Sequence, residues 1–159
     1  DAKNIDIFYQ IGVLYEKSGN SDKAVEAMAE VLKIDPEHAN ALNFIGYTWA
    51  DKGINLDRAE EMIKKALTKK PDDGYILDSM GWVYFKKGDY KKALDEIKKA
   101  HEKLPDDPTI SDHLGDVYER LNDIEKARHF YERAIKLEKD ETKRKPMEQK
   151  LKRLKENGR

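Results

Sequence analysis

A period of 34 to 35 residues runs through this chain. Gly12, Gly46, Gly81 and Gly115 stand 34, 35 and 34 residues apart. Ala24, Ala59, Ala93 and Ala127 follow at 35, 34 and 34, and Pro36, Pro71 and Pro105 at 35 and 34. Self-similarity at this interval marks stacked helix–turn–helix units, each burying only the faces that it shares with its neighbours. The period therefore predicts an all-α solenoid. It does not by itself name a partner.

Laid in register, the units run 5–38, 39–73, 74–107 and 108–141. Glycine holds position 8 of each unit and an aromatic holds position 11: Tyr15, Trp49, Tyr84 and Tyr118. Alanine holds position 20, and position 24 is apolar: Met28, Ile63, Ile97 and Tyr131, the second of these displaced by one extra residue. First helices are predicted near 5–18, 39–52, 74–87 and 108–121, and second helices near 22–35, 56–70, 91–104 and 125–138. Residues 1–141 thus hold four units, and 142–159 form a basic closing segment with a helix over 146–157. Met147, Leu151 and Leu154 give that helix one apolar stripe, and Pro146 is placed in its first turn.

Elementary physics supports the register. Phe8, Ile11, Gly12 and Tyr15 fall at i, i+3, i+4 and i+7, one face of a 3.6-residue period. Glycine inside a helix costs roughly 0.5–1 kcal/mol relative to alanine, so its recurrence implies close helix packing that offsets the loss. Gly19, Gly53, Gly88 and Asn122 stand where first helices should end, and these residues tolerate the left-handed conformation. Ser21, Asp89 and Asp123 are candidate caps for second helices. The extra residue of the second unit lies between Trp49 and Ala59, so 51–57 is expected to be a longer turn, with Asp57 re-capping the helix.

Charged residues make up 40% of the chain against 38% hydrophobic, with mean hydropathy −0.91. That polarity suits an elongated array, whose surface is large for its volume. The net charge of −1 argues against nucleic acid as a partner. Residues 141–159 carry eight Lys/Arg and three Asp/Glu, leaving 23 against 29, a balance of −6, for the rest. The basic tail is read as a solvated helix face, with an acidic partner or membrane surface as its alternative. There is no cysteine, hence no disulfide or thiol chemistry. The sequence opens on Asp1 rather than Met, so a longer parent chain, with room for a signal sequence or lipid anchor, is expected.

No acid, base and nucleophile converge in the pattern, so no catalytic residue, cofactor, metal site or small-molecule substrate is expected. His38, His101, His113 and His129 show no metal-ligand spacing. The pairs Asp72/Asp73 and Asp106/Asp107 follow Pro71 and Pro105 and read as turn and cap residues.

The matched positions resemble the tetratricopeptide repeat family over about 137 residues. The resemblance implies a right-handed superhelix whose first helices line a concave surface through positions 2, 5, 6, 9, 12 and 13. Among these positions stand Tyr9, Asn40, Asn43, Phe44, Tyr47, Tyr75, Asp78, Trp82, Phe85, Asp112, His113 and Asp116. Aromatics gather in the two middle units, where Tyr47 and Trp82 share position 9 and are expected to face the groove. Such patches mark interaction sites. The expected partner is a protein segment with apolar anchors and a Lys or Arg, the cation meeting Asp78, Asp112 and Asp116. A family subclass that clamps a C-terminal carboxylate is excluded. Its Lys, Asn, Asn, Lys and Arg positions fall on Tyr9, Val13, Phe44, Tyr75 and Ser79, or on Asn43, Tyr47, Ser79, Thr109 and His113, and neither register supplies the cations.

The runs 41–53 and 76–84, with His113-Leu-Gly-Asp-Val117, are similar to bacterial tetratricopeptide lipoproteins. That likeness implies an adaptor of the periplasm or outer membrane, with the cytoplasm as the alternative. The function expected is therefore a non-enzymatic scaffold that binds a segment in its groove. The alternative is a self-assembling module that stacks through the open ends of its array and so homo-oligomerises.

Overall fold

The computed structural model of the chain describes residues 2–157. Asp1, Gly158 and Arg159, the outer ends of the expected segments 1–141 and 142–159, lie outside the described residues. Among the described residues there are nine helices and no strand. They are α1 (Ala2–Lys17), α2 (Ser21–Ile34), α3 (Ala39–Lys52), α4 (Leu56–Lys69), α5 (Gly74–Lys86), α6 (Tyr90–Lys103), α7 (Pro108–Arg120), α8 (Ile124–Leu137) and α9 (Glu141–Asn157).

Consecutive helices pair as α1/α2, α3/α4, α5/α6 and α7/α8, and each second helix also packs on the first helix of the next pair. Helix α9 packs on α8 as though it opened a further pair. The apolar interior is one elongated core. Leu32, Trp49 and Met62 join its first section to its second, and Leu67, Tyr84 and Phe85 join the second to the third.

The recurring glycines sit under the position-24 side chains. A Cβ on Gly12 would lie 2.7 Å from Met28 Cε, and one on Gly46 would lie 2.6 Å from Ile63 Cγ1. Gly81 is covered in the same way by Ile97 and Gly115 by the Tyr131 ring. The glycine periodicity is thus the trace of four close helix crossings.

Gly19, Gly53 and Gly88 adopt φ of 77°, 68° and 83°, and Asn122 adopts 62°, so all four end their helices in the left-handed region. Asp89 and Asp123 cap α6 and α8, accepting from Lys92 N and Lys126 N. Two cap assignments need correction. Asn20, not Ser21, caps α2, its side chain accepting from Lys23 N at 3.2 Å. In the longer turn, Asn55 precedes α4 with φ of 49° and no side-chain cap, while Asp57 binds Lys87 at 2.7 Å. Asp73 and Asp107 cap α5 and α7, as turn acids should.

Helix α9 also starts earlier than expected, at Glu141 rather than 146. Asp140 makes this possible by accepting from the Thr142 amide at 2.8 Å and its hydroxyl at 2.7 Å. Pro146 therefore lies inside the helix, beyond the first turn, and deprives the Thr142 carbonyl of its amide partner. Met147 and Leu154 are buried and Leu151 is half-buried, and Leu154 and Leu151 join the third section of the core.

Candidate peptide-binding groove

The first helices of the pairs border a concave cavity of about 520 Å³. Seven of the twelve expected site residues line it: Tyr9, Asn40, Asn43, Phe44, Tyr47, Tyr75 and Asp78. Each is placed by local structure. Tyr9 lies in α1, its ring 5.5 Å from that of His38, whose Nδ1 accepts from Ala41 N and starts α3. That start sets Asn40, Asn43, Phe44 and Tyr47 on successive turns of α3. Asp73 caps α5 by accepting from Tyr75 N and Ile76 N at 3.0 and 3.2 Å, which holds Tyr75 at the helix mouth. Tyr75 is 59% exposed, a large side chain held out at the cavity edge.

The polar groups of the cavity are unevenly satisfied. Asn40 Oδ1 accepts from Lys70 Nζ at 2.9 Å. Asn43 also lines the cavity, but its Oδ1 is buried from solvent and has no partner within the protein. Burial and the carboxylates of Asp51, Asp78 and Asp112 push the Tyr47 phenol well above its usual range, so its hydroxyl remains protonated.

The other five expected residues are drawn into packing. Trp82 is only 6% exposed, which corrects its placement as a groove anchor. Its ring stacks on Phe85 at 4.7 Å and on His113 at 3.9 Å, and its Nε1 donates to Asp51 at 3.0 Å. Phe85 joins the core, stacked on Trp82 and tilted against Tyr90. His113 is buried with its Nδ1 at 2.9 and 3.0 Å from the two Asp78 oxygens. Burial, the largest single influence, pushes the His113 imidazole down. The charge and hydrogen bond of Asp78, with the charges of Asp112 and Asp116, outweigh it, and the net shift is upward.

Asp112 and Asp116 do not await a partner's cation. Lys150 of α9 lies 2.7 Å from both. Burial raises the Asp112 carboxyl against the pull of Lys150, and one Asp112 oxygen is buried without a partner. The Tyr131 hydroxyl sits 2.8 Å from Asp116 and 2.7 Å from Glu119, and Arg153 grips both Glu119 oxygens at 2.8 Å. The basic tail is thus not a wholly solvated face, because Lys150 and Arg153 turn onto α7. Sequence reading missed both residues. Their signal was the opposite charge of tail and body, together with the helical spacing that sets Lys150 and Arg153 on one side of α9.

The sequence matches the tetratricopeptide repeat-like domain over residues 13–156. The TPR repeat-containing protein PA4667 of Pseudomonas aeruginosa is 35% identical over 91 residues, which are 57% of this chain and 15% of that protein. BBSome complex member BBS4 of Bos taurus is 30% identical over 95 residues, 60% of this chain and 18% of its own length. The chain therefore spans less than a fifth of the length of either relative. Among solved structures, TTC0263, a thermophilic TPR protein in Thermus thermophilus, aligns with TM-score 0.75 and 23% identity over 84% of this chain and 74% of that one. MamA aligns with TM-score 0.65 and 26% identity over 86% and 74%. PilF of Pseudomonas aeruginosa aligns with TM-score 0.72 and 21% identity over 88% and 64%. Proteins of this kind generally mediate protein–protein interaction and assembly, and their fold is typically a non-enzymatic scaffold. With nearly its whole length matched and its four close helix crossings in register, the chain belongs to the tetratricopeptide repeat family.

Proposed function

We propose that this protein is a non-enzymatic adaptor that holds a protein segment in the concave cavity beside α1, α3 and α5. One observation carries the reading. Tyr9, Phe44, Tyr47 and Tyr75 border a single cavity of about 520 Å³ that also offers Asn40 and Asn43. Aromatic side chains supply large contact area at low entropic cost. The asparagine amides can hydrogen-bond the backbone of an extended or helical segment. Asp78, Asp112 and Asp116 are occupied by His113 and Lys150, so a Lys or Arg of the segment meets Asp73 and Asp107 on the cavity wall instead. The setting we favour is the bacterial envelope. The similarity to two Pseudomonas aeruginosa proteins supports a bacterial chain. Among the described residues no helix is long and apolar enough to cross a membrane.

The test is selection of binding peptides from a random library on the intact chain, followed by titration against variants. Tyr75→Ala, which removes a mostly exposed ring, should leave thermal stability unchanged and weaken binding roughly 30-fold, the effect of losing one aromatic hot spot. Peptides that bind Tyr75→Ala and Phe44→Ala as tightly as the parent chain would refute the cavity as the recognition surface.

A further inference from the structure

Helix α1 carries an apolar stripe that nothing covers. Ile7, Ile11 and Leu14 fall at i, i+4 and i+7 and are 54%, 37% and 64% exposed. The repeat register shows what this stripe is for. The same three positions are Ala41, Ile45 and Thr48 in α3, Ile76, Met80 and Val83 in α5, and Ile110, Leu114 and Val117 in α7. None of these nine is more than 8% exposed. In each case the cover includes the second helix of the preceding pair. Against α3, for example, Val25, Ala29 and Leu32 of α2 share a cluster with Ala41 and Ile45. The chain therefore builds this interface three times within the repeat register, packs α9 on α8 in the same manner, and presents half of one more on α1.

We infer that the stripe on α1 is the seat of another amphipathic helix, the second helix of an additional tetratricopeptide unit, running antiparallel to α1. The occupant needs apolar residues at i, i+4 and i+7, as in Val25, Ala29 and Leu32. A second copy pairing through its own α1 fits less well. Lys3, Gln10 and Lys17 line one flank of the stripe at seven-residue spacing. An antiparallel pair of α1 helices sets Lys3 and Lys17 of one chain beside Lys17 and Lys3 of the other, a like-charge contact. The docking surface is separate from the concave cavity, whose lining takes only Tyr9 from α1.

The experiment supplies the missing helix. Residues 1–4 are replaced by a second copy of residues 20–38, so that the duplicated helix meets Ile5 as α2 meets Ala39. Half-burial of three large side chains should raise the melting midpoint by roughly 10 °C. A control whose duplicated Val25 and Leu32 are both glutamate should show no such rise. Ile11→Glu should cancel the gain in the extended chain and leave the melting of the parent chain unchanged. The parent chain should remain monomeric by sedimentation as concentration is raised. Equal midpoints for the extension and its glutamate control would overturn the inference. So would a concentration-dependent dimer that Ile11→Glu abolishes, because a second copy would then be the occupant.

Discussion

Substituting the four packing glycines by alanine should give unequal results, because the side chains above them differ in their freedom to move. Alanine returns roughly 1 kcal/mol of helix propensity wherever it replaces a mid-helix glycine. At Gly115 the new Cβ would lie 2.5 Å from Tyr131 Cε1 and 3.0 Å from Cγ. The Tyr131 ring cannot retreat. It is fully buried, and its hydroxyl is held between Asp116 and Glu119. Overpacking against such a ring costs roughly 3 kcal/mol, which leaves a net loss of roughly 2 kcal/mol for Gly115→Ala. In a chain of this length that lowers the melting midpoint by roughly 4–8 °C. At Gly12 the nearest atom is Met28 Cε at 2.7 Å, and the next contacts are relaxed at 3.4 Å. A thioether terminus turns aside at little cost, so Gly12→Ala should stay within about 1 kcal/mol of the parent chain. Thermal denaturation followed by helical circular dichroism reads both. Equal losses at the two sites, or a gain at Gly115, would refute the claim that ring rigidity above the glycine sets the cost.

Trp82→Ala should cost roughly 3–5 kcal/mol of stability, since the ring is buried between Phe85 and His113; a variant that melts with the parent would place the ring in the groove after all. The folded-state pKa of His113 is raised, so its stabilisation is complete below the unfolded value near pH 6.5 and disappears as pH rises through the folded value. Urea midpoints of the parent chain should exceed those of His113→Gln most at about pH 6, and the gap should narrow in alkaline buffer to the part due to lost packing on Trp82; a constant difference would show that the imidazole is neutral when folded. Removing residues 141–159 uncovers the core beside Leu151 and Leu154 and leaves Asp112 and Asp116 without Lys150, so the midpoint should fall and binding of a hydrophobic dye should rise. An unchanged midpoint would deny α9 its closing role.

The fold was legible because the repeat states its packing rule several times over. Glycine at position 8 and a bulky residue at position 24 are two halves of one contact, and their shared period exposed both. The left-handed residues at the turns were equally plain. Boundaries were less so. Asn20 outcompeted Ser21 as a cap because the last turn of α1 ends at Lys17 and the chain needs only Ser18 to Asn20 to reverse. The start of α9 was hidden by Pro146, whose usual place in a first turn was overridden by the Asp140–Thr142 cap.

The groove was half legible, and the reason is the spacing between first helices. Tyr47 and Trp82 occupy the same repeat position, so pattern alone gives them the same fate. Helices α3 and α5 pack directly on each other, whereas α1 barely touches α3. Trp82 on α5 is therefore trapped between Asp51 on α3 and His113 on α7, while Tyr47 on α3, half-buried with its ring 6.4 Å from that of His113, still borders the cavity. Those helix spacings follow from the whole stack of side chains and are not written at any one position. The acids failed for a related reason. Asp112 and Asp116 look free in the repeat, but their cation arrives 34 to 38 residues later on a helix outside the repeat register. The consequence for recognition is directional. The C-terminal end of the concave face is closed by Lys150 and Arg153, so a bound segment finds its aromatic rings toward α1, α3 and α5.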